Sequence, residues 1–148
     1  MDNGSVNSRS GLRKVNLDNS ARALLAFLER NRTEKFFEYP FEHSYPRNCC
    51  ESVCLILTFL LEEKYPLDNV TIIKGTRRDV YDHHFWVMVG DLTYDLTAHQ
   101  FPGHEPIIGV LAHELFLDEF PEWEIETERD FVDRARVISG YHAGVIPF

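Results

Sequence analysis

Several absences narrow this chain before any motif is read. It has no lysine/arginine cluster larger than an adjacent pair such as Arg77-Arg78 and a formal net charge of −9, which argues against a nucleic-acid partner that would need a basic stripe. Met1 to Asn19 is polar and holds no apolar block, so it has the pattern of neither a secretory signal nor a membrane anchor. No glycine-rich phosphate loop, internal repeat or low-complexity segment occurs, which leaves nucleotide chemistry without support. Cysteine is scarce: there are three, two of them adjacent, an odd number at spacings unlike a disulfide framework. A reducing compartment fits, so the expected location is cytoplasmic, or delivery as an effector without a classical signal peptide. The side chains of Cys49 and Cys50 diverge on a helix and make a poor start for a tetrahedral zinc site. No metal and no other cofactor is expected.

What remains, over 148 residues, is enough for one core. Residues 1–17 are rich in Asn, Ser and Gly and are expected to form a flexible tail, and 18–148 a single catalytic domain. From Asp18 or Ser20, the spacing of Ala21, Leu24, Leu25, Phe27 and Leu28 predicts an amphipathic helix ending near Asn31. Arg32 to Asn48, with four aromatics and two prolines, reads as an extended, anchored loop.

That loop leads to the most informative stretch, Asn48 to Leu61. Asn48 and Glu51 have capping-box spacing, and Val53 to Leu61 is apolar on nearly every side, so a central helix is expected to start here and to stop before Pro66. With Asn48 as cap, Cys50 falls in the first turn, where free N–H groups and the helix dipole favour thiolate over thiol.

Two strands carry the rest of the chemistry. Asn69 to Gly75 is β-branched and reads as one strand, followed by a polar connection, Arg77 to Asp82, that could form a mobile lip. His83 to Val89, a turn at Gly90-Asp91 and Leu92 to Thr97 then read as a hairpin. In that register Val89 faces Leu92, Val87 faces Tyr94 and Phe85 faces Leu96, giving one apolar face. The other face collects His84, Trp86 and Met88 with Asp95, Thr93 and Thr97, so an imidazole and a carboxylate are neighbours. Further on, Pro106 to Leu111 is a candidate strand, Glu114 to Glu128 is acidic and reads as irregular, and Glu128 to Ser139 predicts a helix stopped by Gly140.

A cysteine at a helix start, a histidine on a strand and a carboxylate on the next strand are the parts of an activated thiol nucleophile: Cys50 attacks, His84 shuttles the proton, Asp95 orients the imidazole. Trp86, read as a core aromatic that also lines the cleft, and Gln100 are the candidate substrate-binding residues, Gln100 with Thr97 also fixing the loop after Asp95. Pro46-Arg47-Asn48-Cys49-Cys50, His84-Phe85-Trp86-Val87 and Asp95-Leu96-Thr97-Ala98-His99-Gln100-Phe101, in that order, resemble the papain-like and transglutaminase-like thiol enzymes, in particular small bacterial and phage-borne members. The resemblance covers roughly residues 40 to 101. It implies an α+β fold with a central nucleophile-bearing helix packed on an antiparallel β-sheet. It also implies substrates that are protein or peptide amides, handled by a peptidase, amidase, deamidase or transglutaminase.

The oxyanion donor is unassigned, because the backbone N–H of Cys50 is free for that role only if Asn48 does not occupy it. Two other readings stand beside the enzyme: an inactive binding or inhibitory module on the same fold, and a metal-binding regulator using Cys50, Cys54 and histidines. His99, His104, His113 and His142 read most simply as surface or structural residues.

Overall fold

The elements run α1 (Asn3–Glu34), α2 (Cys50–Lys64), β1 (Val70–Arg77), β2 (Asp82–Val89), β3 (Leu92–Asp95), a single 3-10 turn (Ala98–Gln100), β4 (Ile107–Val110), β5 (Glu122–Glu126) and α3 (Arg134–His142). They come from a computed structural model, which describes residues 3–37, 44–77, 79, 82–111, 119–131 and 133–148, with the backbone alone for 3–12. The strands form one antiparallel sheet in the order β4-β3-β2-β1-β5. The class is therefore α+β.

The apolar run after Cys50 explains the layering. α2 buries Val53 to Thr58, Leu60 and Leu61, against Val70 and Ile72 of β1 and Phe85, Val87 and Val89 of β2. Each such aliphatic side chain removed from water contributes roughly 1.5–3 kcal/mol. The helix stops where Tyr65 turns extended (φ −121°, ψ 147°), the conformation Pro66 imposes on its predecessor. Leu17, Ala21, Leu24 and Leu28 form the buried stripe of α1 in the same core, at the spacing of one helix face.

The hairpin has the expected register, Val89 opposite Leu92 and Val87 opposite Tyr94. Gly90 takes φ +60° and Asp91 does not, as a two-residue II′ turn requires. The β2–β3 ladder ends at the Val87–Tyr94 pair, so Phe85 and Leu96 are not paired in it. Odd and even positions of the two central strands part as the pleat dictates. Ile72, Phe85 and Val87 join the core under α2, while Ile73 and Trp86 join Ala98, Ile107 and Phe120 in a second cluster on the opposite face.

Several expectations need correction. The helix that was to begin at residue 18 or 20 begins at Asn3, so the expected 1–17 tail is helical from there. Leu17 is buried, Lys14 pairs with Asp18 one turn on, and the Arg13 guanidinium donates to the Pro66 carbonyl; tertiary contacts outweigh a composition that reads as tail. Residues 122–126 of the acidic stretch are an edge strand on β1, their Glu-Trp-Glu-Ile-Glu alternation having the period of a strand. The last helix runs Arg134–His142 and passes through Gly140. A Cβ there would lie 2.8 Å from the Phe36 ring and 2.9 Å from Ile146, so this glycine admits close packing instead of ending the helix. The lip expected between Arg77 and Asp82 falls largely, and Tyr39, Phe41, His43, His113 and residues 114–118 fall wholly, outside the described residues.

Candidate active site

Cys50 is the first residue of α2. The cap, however, is Cys49 (φ −137°), with no side-chain cap hydrogen bond, and Asn48 sits in the left-handed region at φ +58°. The expected capping box does not form. Asparagine is one of the few residues that adopts this backbone readily, so Asn48 serves as the turn that feeds the chain into α2. The first turn thus keeps its N–H groups free of side-chain caps, and Cys50 is half-buried at their edge.

His84, near the start of β2, is fully buried. Its Nε2 lies 2.6 Å from Asp95 Oδ2. Asp95 is held in turn by Thr97, whose backbone N–H donates to Oδ1 at 3.0 Å and whose hydroxyl donates to it at 3.3 Å. With Nε2 so engaged, Nδ1 is the ring nitrogen left to face the thiol, and the ring shares a hydrogen bond with Cys50. Burial by itself lowers the affinity of His84 for a proton. The charge and hydrogen bond of Asp95, with those of Cys50, outweigh it and raise its pKa to about 9. Phe101 meets the ring edge-on at 4.9 Å, with Phe120 at 5.5 Å and Trp86 at 5.9 Å, so water is kept from three sides of the imidazole. The chain thus brings Cys50, His84 and Asp95 together, from positions 50, 84 and 95.

The other two cysteines differ. Burial pushes the Cys49 thiol up to about 12, with a further push from Cys50 beside it, and burial raises Cys54 well above the usual thiol range.

Cys50 opens into a cleft of about 370 Å³, lined by Asn48 to Ser52, Asp82, His83, Phe85, Gln100 and Phe101. Asn48 and Gln100 also wall a second cavity of about 580 Å³. The Gln100 amide nitrogen is 3.5 Å from His84 Nδ1. A protonated Nδ1 offers a donor and no acceptor, so the two amide N–H donors of Gln100 are then left for a ligand.

Trp86 is a core aromatic, as expected, but does not line the cleft. It is fully buried in the second cluster, edge-on to Trp123 at 5.2 Å, and absent from the cleft wall. It backs His84 and is closed off from the cleft, because Phe120 and Trp123 cover a face that strand periodicity alone leaves open. The phenylalanines that line the cleft are Phe85 and Phe101, the second directly following Gln100.

Comparison of the chain with protein-family models, with curated proteins and with solved structures gives no match. Function therefore rests on this geometry. Among the described residues no group of three or more His, Cys, Asp or Glu side chains is arranged to hold a metal ion, and no helix is long and apolar enough to cross a membrane.

Proposed function

We propose that this protein is a thiol-dependent acyl-transfer enzyme of the papain-like or transglutaminase-like kind, acting on amide bonds. The observation that carries the reading is the relay from Asp95 through a buried, raised-pKa His84 to Cys50 at a helix start and the wall of a cleft. In such buried polar relays the members satisfy one another, and Cys50 is one of the partners of the His84 ring.

The chemistry follows from the parts. The Cys50 proton passes to His84 Nδ1, and the sulfur attacks the carbonyl carbon, forming a C–S bond as the carbonyl π electrons move to oxygen. The oxyanion is met by the backbone N–H of Cys50, which Asn48 does not occupy, and by the Gln100 amide. Collapse breaks the C–N bond, and His84 gives its proton to the departing amine. Water or an amine then attacks the thioester, returns a proton through His84 and releases the thiol. Asp95 keeps the imidazole in the tautomer that presents Nδ1 to sulfur and stabilises its charged form.

Alkylation tests this reading. Iodoacetamide at neutral pH is expected to modify Cys50 at least tenfold faster than a free cysteine, and Cys49→Ala to leave that rate unchanged, while Cys50→Ala abolishes both labelling and acyl transfer. Equal labelling of Cys49 and Cys50, or labelling of Cys50 no faster than a free thiol, would favour a binding module that kept the fold without the reaction.

A further inference from the structure

We infer that the cavity beside the thiol cleft is a subsite for a substrate carboxylate, held by Arg32 and Arg47, so that the bond attacked lies within a residue or two of a carboxylate. This deepens the reading of Cys50 as nucleophile and rests on it.

The cavity, about 580 Å³, is lined by Arg32 at the end of α1, by Ser44 to Asn48, and by His99 and Gln100. It contains two guanidinium groups and, among its described lining residues, no carboxylate, on a chain whose net charge is −9. Arginine is the side chain best shaped to grip a carboxylate with two parallel N–H donors. Among the described residues neither Arg32 nor Arg47 makes an ion pair or a side-chain hydrogen bond, whereas the neighbouring His99 already has its Nε2 on Glu29 at 3.2 Å. The two guanidinium groups therefore have their donors unspent.

Position links this cavity to the reaction. Asn48 and Gln100 belong to both cavities, and Asn48 precedes Cys50 by two residues, a separation of at most about 7 Å between their Cα atoms. An extended peptide advances by about the same distance in two residues. A substrate with its scissile carbonyl at Cys50 would thus carry its carboxylate into the arginine cavity from an adjacent position. The carboxylate belongs either to an acidic side chain or to a free C-terminus.

Three nearly isosteric probes separate these cases: N-iodoacetyl-glutamic acid α-amide carries a side-chain carboxylate, N-iodoacetyl-glutamine a terminal one, and N-iodoacetyl-glutamine α-amide none. At least one charged probe is expected to alkylate Cys50 roughly tenfold faster than the neutral one, the scale of two exposed charge pairs. The faster of the two identifies the source of the carboxylate. The Arg32→Gln/Arg47→Gln double variant should lose that preference while reacting with plain iodoacetamide at the wild-type rate. Equal rates for all three probes in the wild type, or a preference that survives in the double variant, overturns the subsite and leaves the nucleophile standing. If Cys50 proves unreactive even to iodoacetamide, the subsite is tested in Cys50→Ala chains by NMR titration with the N-acetyl analogues. Carboxylate-dependent shifts in the cavity lining that vanish with the two arginines support it, and their absence overturns it.

Discussion

The Nε2 atom of His84 and the Oδ2 atom of Asp95 are 2.6 Å apart, and both side chains are buried. With its pKa raised from 6.5 to about 9, His84 binds its proton more tightly in the folded protein than in the unfolded chain. The stability this adds is fully present below about pH 6.5 and is lost as pH rises through 9. Thermal unfolding should therefore show the melting temperature falling between pH 6.5 and 9.5, by the equivalent of ~3 kcal/mol at the upper bound. In Asp95→Asn that slope should largely vanish, since no negative charge then holds the imidazolium. A wild-type slope that persists unchanged in the variant would assign it to other groups.

The same pair sets the alkaline limb of the reaction. His84 must be protonated to release the amine, so acyl transfer is expected to decline above about pH 9. Asp95→Asn should move the decline to lower pH and reduce turnover by roughly 10²–10⁴-fold, the range of a positioned acid–base group. Rate profiles with an activated p-nitrophenyl ester and with an anilide check this, the anilide being more sensitive because its leaving group needs the proton.

Gln100 is the residue whose role is decided by contrast between two assays. Alkylation by iodoacetamide builds no oxyanion, whereas acyl transfer does. Gln100→Ala should leave the alkylation rate of Cys50 within about twofold and lower acylation by a p-nitrophenyl ester by roughly 10²-fold, the usual effect of removing one oxyanion donor. Equal loss in both assays would mean that Gln100 only positions His84.

The parts of this site that could be read in advance were those governed by short-range rules. Alternation along β2 and β3 separates His84 and Asp95 from Phe85 and Val87, and the proline after Tyr65 ends α2. Asn48 misled because Asn-x-x-Glu satisfies a capping pattern equally well when the asparagine is in a left-handed turn, and only φ distinguishes the two. Trp86 misled because the second face of the sheet is closed by Phe120 and Trp123, more than thirty residues later in the chain, and periodicity carries no information about what arrives from such a distance. Arg32 escaped notice for the same reason: nothing local ties the end of α1 to Asn48 and Gln100.

Tyr45 joins the two chain segments that shape the site. Its hydroxyl donates to the Leu96 carbonyl at 2.6 Å, fully buried, so the loop entering α2 is tied to the residue that follows Asp95. Burial, reinforced by Glu29, Cys49 and Asp95, holds the phenol far above its ordinary pKa, so it stays a donor at any working pH. Tyr45→Phe keeps the ring packing and leaves the Leu96 carbonyl without this donor, at a cost of about 1–3 kcal/mol. That corresponds to a loss of roughly 3–10 °C in melting temperature, and a variant as stable as the parent would show that water replaces the bond.

Gly75 stands directly across from His84 in the β1–β2 ladder, and it is there because nothing larger fits. A Cβ at this position would lie 2.8 Å from Phe120 Cβ and 2.8 Å from two atoms of the Trp86 ring, both of which pack beside the imidazole. A Cβ bonded directly to the backbone and a core indole cannot withdraw the way the end of a flexible surface chain would, so Gly75→Ala should destabilise the fold by about 1–3 kcal/mol through overpacking. The displaced rings press on His84, so the variant should also alkylate at Cys50 more slowly than an equally destabilised variant far from the site. Replacing Trp86 by the smaller phenylalanine in the Gly75→Ala chain should restore part of both losses, which a double-mutant cycle on melting temperature and labelling rate measures. Strict additivity of the two substitutions would show that Gly75 and Trp86 do not share the space the structure assigns them.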